Sequence, residues 1–125
     1  MKLEEIFNIS GKNIIVAGSS RGIGKYLSEK LTELGAHVYG ISRTNLKSKS
    51  FKSYSCDINE KVEVEITLEK IINECIKVDS LINVVGITKK YTEDQYLSVF
   101  KESINTNLTS LYQLSKMVSG IMSKD

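Results

Sequence analysis

The chain has 125 residues, of which 41% are hydrophobic and 26% are charged, and its formal net charge is +2. These values are typical of one soluble globular domain and give no reason to expect nucleic acid or a membrane as a partner. Apolar runs fall short of the roughly 20 residues that span a bilayer, and the acidic start, residues 1–5, lacks a signal-peptide core. We therefore expect a cytoplasmic protein.

An apolar strand, a glycine-rich turn and a helix follow one another early in the chain. Residues 13–17 predict a buried strand, which runs into Gly18-Ser19-Ser20-Arg21-Gly22-Ile23-Gly24. The apolar positions that follow predict a helix that Gly35 would end: Ile23, Leu27, Leu31 and Leu34. Glycines let backbone N–H groups approach a pyrophosphate, and the helix N-terminus adds partial positive charge. We interpret the stretch as a dinucleotide-binding turn; a turn that only packs helix on sheet is the alternative.

Strands and helices continue to alternate along the rest of the chain. We predict strands at 36–41, 51–56 and 79–85, a solvated basic loop over 45–52, a helix over 60–77 and a long helix after Thr92. Alternation without a hairpin signal predicts a parallel sheet with right-handed crossovers. The fold class is therefore α/β, a Rossmann-like doubly wound parallel sheet in its N-terminal half, with strand order 3-2-1-4.

The apolar positions predict which faces are buried. The helix over 60–77 has an apolar stripe made of Leu68, Ile71, Ile72, Cys75 and Ile76. The long helix has another, made of Ile104, Leu108, Leu111, Ser115, Val118 and Met122. The fourth strand is apolar except at its ends, which is typical of a strand buried on both faces.

Cysteine and histidine content gives no metal site. The two cysteines, Cys56 and Cys75, are far apart in sequence, and His37 is the only histidine. A zinc cluster needs several such ligands at short spacing. We expect His37 to be a packing or rim residue of a strand and Cys75 to be a core residue.

Four motifs in order resemble the N-terminal half of a classical short-chain dehydrogenase/reductase, most closely its 3-oxoacyl-carrier-protein reductase and sugar-dehydrogenase branch. They are Gly18 to Gly24, Asp57-Ile58 after the third strand, Asn83-Val84-Val85-Gly86 after the fourth, and Asn107 within Ile104-Asn105-Thr106-Asn107-Leu108. Two positions depart from the family pattern. Ala17 stands where the family usually has Thr or Ser, and Val84 replaces the second Asn of Asn-Asn-Ala-Gly, which removes a polar contact.

The resemblance implies roles for individual residues. Gly18, Ser20, Arg21, Gly22, Ile23 and Gly24 would line the pyrophosphate and the adjoining ribose. Asp57 would face the adenine amino group, with the backbone of Ile58 beside it, although a helix-cap role also explains this residue type. Asn83 and Gly86 would lie under the adenosine-side ribose. Asn107 would kink its helix and hold a water in a proton relay, as the one catalytic residue of this half.

Charge at the end of the second strand predicts which cofactor is bound. Sites that prefer NAD place an acid there, which bonds the ribose 2′-hydroxyl and repels a 2′-phosphate. This chain has Ser42-Arg43-Thr44 instead, and Arg21 lies in the turn. Because two guanidinium groups can bind a phosphate, we predict NADP rather than NAD. Two ordinary surface arginines are the alternative.

The family's catalytic Tyr-x-x-x-Lys pair and its upstream Ser would follow in a later segment. Tyr112 and Lys116 have that spacing but fall on the long helix, where we take the match as chance. We therefore expect residues 1–125 to be a partial NAD(P)-binding Rossmann domain that lacks the catalytic half and leaves the fourth strand as an apolar edge.

Three functions remain open. The first is an NADP-dependent oxidoreductase acting on a small-molecule carbonyl or alcohol, in this truncated form binding cofactor without turnover. The resemblance further implies a homo-oligomer when the protein is complete. The second function is a non-catalytic dinucleotide-binding module, and the third is a structural subunit that contributes its long helix to an assembly.

Overall fold

The computed structural model describes residues 2–44 and 46–122, and its centre is a four-stranded parallel sheet. The strands are β1 (Asn13–Ala17), β2 (His37–Ser42), β3 (Lys52–Ser55) and β4 (Ser80–Asn83), in the order β3-β2-β1-β4. Ile15 of β1 pairs with Tyr39 on one side and with Leu81 on the other. The predicted fold class and strand order, 3-2-1-4, are confirmed.

Helices connect the strands. They are α1 (Leu3–Ile6), α2 (Gly22–Glu33), α3 (Lys61–Cys75), α4 (Tyr96–Ile104) and α5 (Leu111–Ser119). A π-helical stretch, Asn105–Ser110, joins α4 to α5 and is called the π segment below. The predicted long helix is divided into α4, the π segment and α5. It begins four residues after the predicted cap Thr92 because Thr92 and Gln95 close a turn there: Gln95 N donates to Thr92 O at 2.9 Å, and Thr92 N donates to Gln95 Oε1 at 3.3 Å.

Alternate residues of β1 supply two cores, one on each face of the sheet. The larger core contains Ile15 and Ala17, which pack with residues of α3 and α5, among them Leu68, Ile71, Leu114 and Val118. The smaller core, on the other face, contains Ile14 and Val16, which pack with Val38, Phe51 and Leu31 of α2. Burial on both faces is what a parallel sheet covered by helices requires.

The predicted apolar stripe of α2 is wrong at both ends. Ile23 is 78% exposed and Leu34 is 65% exposed, whereas Gly24 and Ser28 are buried. The first turn of the helix lies so close to the glycine turn that no side chain larger than that of glycine fits between Gly24 and Gly18. The predicted stop at Gly35 is confirmed, since Gly35 has φ +89° and Ala36 N donates to Leu31 O at 3.0 Å, which closes a Schellman motif.

The stripes of the other two helices also need correction. Leu68 and Ile71 are buried as expected, but Ile76 is 88% exposed because α3 ends at Cys75. Along the predicted long helix, Leu114 and Val118 of α5 are buried, while Ile104 of α4 and Leu108 of the π segment are exposed. The π segment inserts an extra residue into a turn, so a face drawn at constant 3.6-residue spacing does not continue across it.

The fourth strand lies at the edge of the sheet. Its residues are half-buried or exposed, so the prediction of burial on both faces is wrong, and within the described residues β4 pairs only with β1. Cys75 packs against the larger core as predicted, and His37 is exposed at the rim of β2.

In the described part of the chain no helix is long and apolar enough to cross a membrane. Among the same residues, no group of three or more His, Cys, Asp and Glu side chains is placed to hold a metal ion.

Candidate functional site

A cleft of about 370 Å³ opens where the carboxyl ends of the four strands meet. Its walls come from the glycine turn, from the ends of β2, β3 and β4, and from the π segment. The lining residues are Gly18, Ser20 to Gly24, Ile41 to Thr44, Cys56 to Asn59, Val84 to Ile87 and Thr106. All the predicted cofactor-binding residues except Asn83 are among them.

The glycine turn is shaped by contacts with the end of β4. Gly18 has φ +94°, and a Cβ atom on it would lie 3.0 Å from backbone atoms of Val84 and Val85. Gly18 N donates to Ile41 O at 2.8 Å, which ties the turn to β2. The first residue before α2, Arg21, is extended and gives no side-chain cap. The amides at the start of α2 therefore remain available to an anion at the turn.

The end of β2 brings positive charge to the same cleft. Arg21 and Arg43 are both exposed and both line it. Ser42 Oγ donates to Thr44 O at 2.8 Å, and Ser55 Oγ donates to Arg43 O at 3.2 Å. These bonds hold the backbone of the loop, so the Arg43 side chain extends from an ordered position.

Asp57 lies in a turn before α3 and is not the residue that precedes the helix, which is Glu60. Asn59 N donates to Asp57 Oδ1 at 2.9 Å, and Asp57 N donates to Glu63 Oε2 at 2.9 Å. One carboxylate oxygen thus shapes the turn, whereas Oδ2 has no hydrogen-bond partner within residues 2–44 and 46–122. The local and the ligand-binding roles of this side chain are compatible.

Asn83 and Asn107 are not among the residues that line the cleft. Asn83 Nδ2 donates to Ser115 Oγ at 3.0 Å, so this side chain joins β4 to α5. Asn107 Oδ1 accepts from Ile87 N at 2.8 Å, and Asn107 Nδ2 donates to Ile87 O at 2.9 Å. Asn107 lies in the π segment, where its side chain makes a two-point contact with the loop after β4; the kink that the resemblance implied there stays a prediction.

Val84 replaces the expected polar contact by an apolar one. Its Cγ2 atom faces Gly24, 2.8 Å from where a Cβ atom of that residue would lie, and the side chain packs against the smaller core. The cleft also contains a thiol: burial raises the pKa of Cys56, which keeps the group protonated and a poor nucleophile.

Neither Tyr-x-x-x-Lys spacing in the chain lies at the cleft. Tyr112 and Lys116 are exposed on α5. A second pair, Tyr26 and Lys30, escaped the sequence analysis although its spacing is the same. Lys30 Nζ lies 5.7 Å from the Tyr26 ring centroid and bonds Glu33 at 2.7 Å, so this pair belongs to the outer surface of α2.

The fold and the cleft define a doubly wound α/β domain with a glycine turn at its switch point. A family model described as "short chain dehydrogenase" matches residues 12–125, and the chain belongs to this family of oxidoreductases.

Individual relatives agree. The 3-oxoacyl-[acyl-carrier-protein] reductase of Vibrio harveyi is 34% identical over 94% of this chain and 52% of its own length. The ligand-free aldohexose dehydrogenase of Thermoplasma acidophilum superposes with a TM-score of 0.85 at 25% identity, over 94% of this chain and 47% of that one. The 3-ketoacyl-(acyl-carrier-protein) reductase of Brucella melitensis, solved with NADH, gives 0.79 at 20% identity over 90% and 51%. This chain spans about half the length of the relatives that it matches.

Proposed function

We propose that the chain binds NADP(H) in this cleft as the cofactor half of an oxidoreductase that reduces a carbonyl or oxidises an alcohol. The observation that carries the proposal is the position of Arg21 and Arg43 on the walls of one cleft, beside an uncapped helix N-terminus. Anionic groups are favoured at such a terminus, and guanidinium groups bind phosphate through paired hydrogen bonds. A dinucleotide with an extra 2′-phosphate matches this arrangement.

Each part of the cofactor has residues to contact. The pyrophosphate would lie on the turn from Gly18 to Gly24, and the 2′-phosphate between Arg43, Ser42 and Arg21. The adenine would lie against Asp57 Oδ2 and the backbone of Ile58, and Gly86 leaves room beside the ribose. The Brucella protein was solved with NADH, so the proposed preference for NADP rests on the two arginines of this chain.

Asn107 would act in the proton relay through its position. Its side-chain amide is engaged by Ile87, so a relay water would be held by carbonyl groups that the π segment leaves without α-helical partners. Within these 125 residues the proposal assigns binding without turnover. A bound cofactor would supply the hydride, and within residues 2–44 and 46–122 no cleft-lining side chain is placed to protonate the substrate.

Calorimetric titration of the chain with NADPH and, separately, with NADH tests the cofactor assignment. NADPH should bind at least about tenfold more tightly than NADH, because a charge-assisted hydrogen bond to the 2′-phosphate contributes about that much binding free energy. Arg43→Ala should remove most of that preference and leave NADH affinity unchanged, whereas Lys25→Ala, an exposed cation on α2 outside the cleft lining, should have no effect. Equal affinity for the two cofactors, or an unchanged preference in Arg43→Ala, would overturn the proposal.

An absorbance assay at the nicotinamide band, with NADPH and a 3-oxoacyl thioester or a simple ketone, tests the second half of the proposal. The chain should bind NADPH and consume none. Turnover by the purified chain would show that its own residues protonate the substrate. We also propose a cytoplasmic location and, for the complete protein, a homo-oligomer. The exposed apolar side chains Leu97, Phe100, Ile104 and Leu108 along α4 and the π segment favour self-association, and light scattering of the complete protein would show a monomer if this is wrong.

A further inference from the structure

A single side-chain oxygen joins the loop after β3 to the π segment. Asn59 Oδ1 accepts hydrogen bonds from Asn105 Nδ2 at 3.1 Å, from Thr106 Oγ1 at 3.3 Å and from Ser110 Oγ at 2.7 Å. The three donors lie within one turn of the π segment, 46 to 51 residues away in sequence. One acceptor thus determines how two distant segments meet.

The donors depend on this oxygen because two of them are buried. Thr106 is 6% exposed and Ser110 is 2% exposed. A buried hydroxyl that loses its partner keeps its desolvation penalty, which makes such a contact costly to break. The contact also lies at the functional site, since Asn59 and Thr106 both line the cleft.

The contact continues on both sides into other parts of the cleft. On one side, Asn59 N bonds Asp57 Oδ1 in the proposed adenine pocket. On the other, Asn107 of the π segment holds both backbone groups of Ile87, which lines the far end of the cleft. A connected series of hydrogen bonds therefore runs from Asp57 through Asn59 and the π segment to Ile87.

We propose that Asn59 is a positioning residue that couples the nucleotide-holding loop after β3 to the π segment, so that ligand bound at Asp57 also orders Asn107 and Ile87. The nucleotide as ligand rests on the proposed function; the contact itself does not. Because three donors converge on Oδ1, the acceptor is the feature that matters, and Asn59→Asp should preserve it while Asn59→Ala removes it.

Hydrogen exchange in the protein without ligand tests the contact. In Asn59→Ala the amides of Ile87 and of residues 105–110 should exchange at least about tenfold faster than in the unmodified protein, because the Thr106 and Ser110 hydroxyl groups lose their acceptor. Amides of β1 and β2 should not change. Asn59→Asp at neutral pH should restore slow exchange, and Asn73→Ala, an exposed asparagine of α3, is the matched control. Unchanged exchange in Asn59→Ala, or no rescue by Asn59→Asp, would overturn the proposal.

Adding NADP⁺ tests the coupling. Saturating NADP⁺ should slow exchange of the Ile87 amide in the unmodified protein and in Asn59→Asp, and this protection should be lost in Asn59→Ala even where NADP⁺ still protects the glycine turn. Equal protection of Ile87 in Asn59→Ala would overturn the coupling. If NADP⁺ protects nothing in the unmodified protein, the proposed function fails and the coupling with it, while the ligand-free comparison still decides whether Asn59 positions the π segment.

Discussion

A Cβ atom on Gly24 would lie 2.0 Å from the carbonyl oxygen of Gly18. The first turn of α2 therefore lies directly against the strand end that starts the glycine turn, and no side chain fits between them. This contact explains why the start of α2 turns glycine toward the sheet and leaves Ile23 exposed.

Gly24→Ala should destabilise the protein and distort the turn, because the new methyl group can be placed only by moving backbone. We expect a loss of about 1–3 kcal/mol in the free energy of unfolding, measured with urea. Gly86→Ala is the matched control, since its Cβ would meet only Asn107 Oδ1 at 3.8 Å. Equal unfolding midpoints for the two variants would show that the close approach is wrong.

Ile76→Gly should stabilise the protein. Ile76 follows α3 with φ +65° and is 88% exposed, so it occupies a strained positive-φ conformation without burying its side chain. A β-branched residue is disfavoured there, and glycine adopts the conformation without steric strain. We expect a gain of up to about 1 kcal/mol, the steric relief less the extra chain entropy of glycine. Ile66→Gly, at an exposed position inside α3, should lower the free energy of unfolding by about 1 kcal/mol. If both variants were less stable than the unmodified protein, the strained conformation at Ile76 would be contradicted.

Glu74 should contribute a pH-dependent part of the stability. Hydrogen bonds from Lys52 and Tyr54 hold the pKa of this carboxyl below its ordinary value of 4.5. Because the folded-state pKa is lowered, the contribution is present above the unfolded pKa and disappears as the pH falls through the folded value. The difference in melting temperature between the unmodified protein and Glu74→Gln should be constant near neutral pH and vanish in acid. Glu69→Gln, an exposed acid of α3, should show no such difference at neutral pH.

Both thiols should react slowly in the folded protein. Burial raises the pKa of Cys56 and that of Cys75, and Cys56 is only 1% exposed. Reaction with a chromogenic disulfide at neutral pH should be slow for half-buried Cys75 and slower for Cys56, with both at full rate in guanidinium chloride. Cys75→Ser assigns the two phases. A thiol that reacts at the unfolded rate in the native protein would contradict the burial described here.

Local patterns in the sequence determined the architecture and most of the cleft. Alternation of strands and helices predicts a parallel sheet with right-handed crossovers, and the glycine turn after the first strand favours the Rossmann order 3-2-1-4 among such sheets. The cleft follows from the same rule, since the carboxyl ends of the strands meet at one edge and the residues just after them, such as Gly18, Arg43 and Asp57, line it. The end of α2 at Gly35 was also readable, as it depends on a few neighbouring residues.

Tertiary structure alone decided which side chains meet across the chain. Nothing local distinguishes Ile23 from a core residue; it is exposed because Gly24 must approach Gly18. Asn83 bonds Ser115, Asn107 bonds Ile87, and Asn59 gathers three donors of the π segment, each across 20 or more residues. Such partners depend on the distance between two packed elements and on how each is rotated toward the other. Both quantities are set only when the sheet and helices assemble, so helical periodicity in the sequence does not predict them.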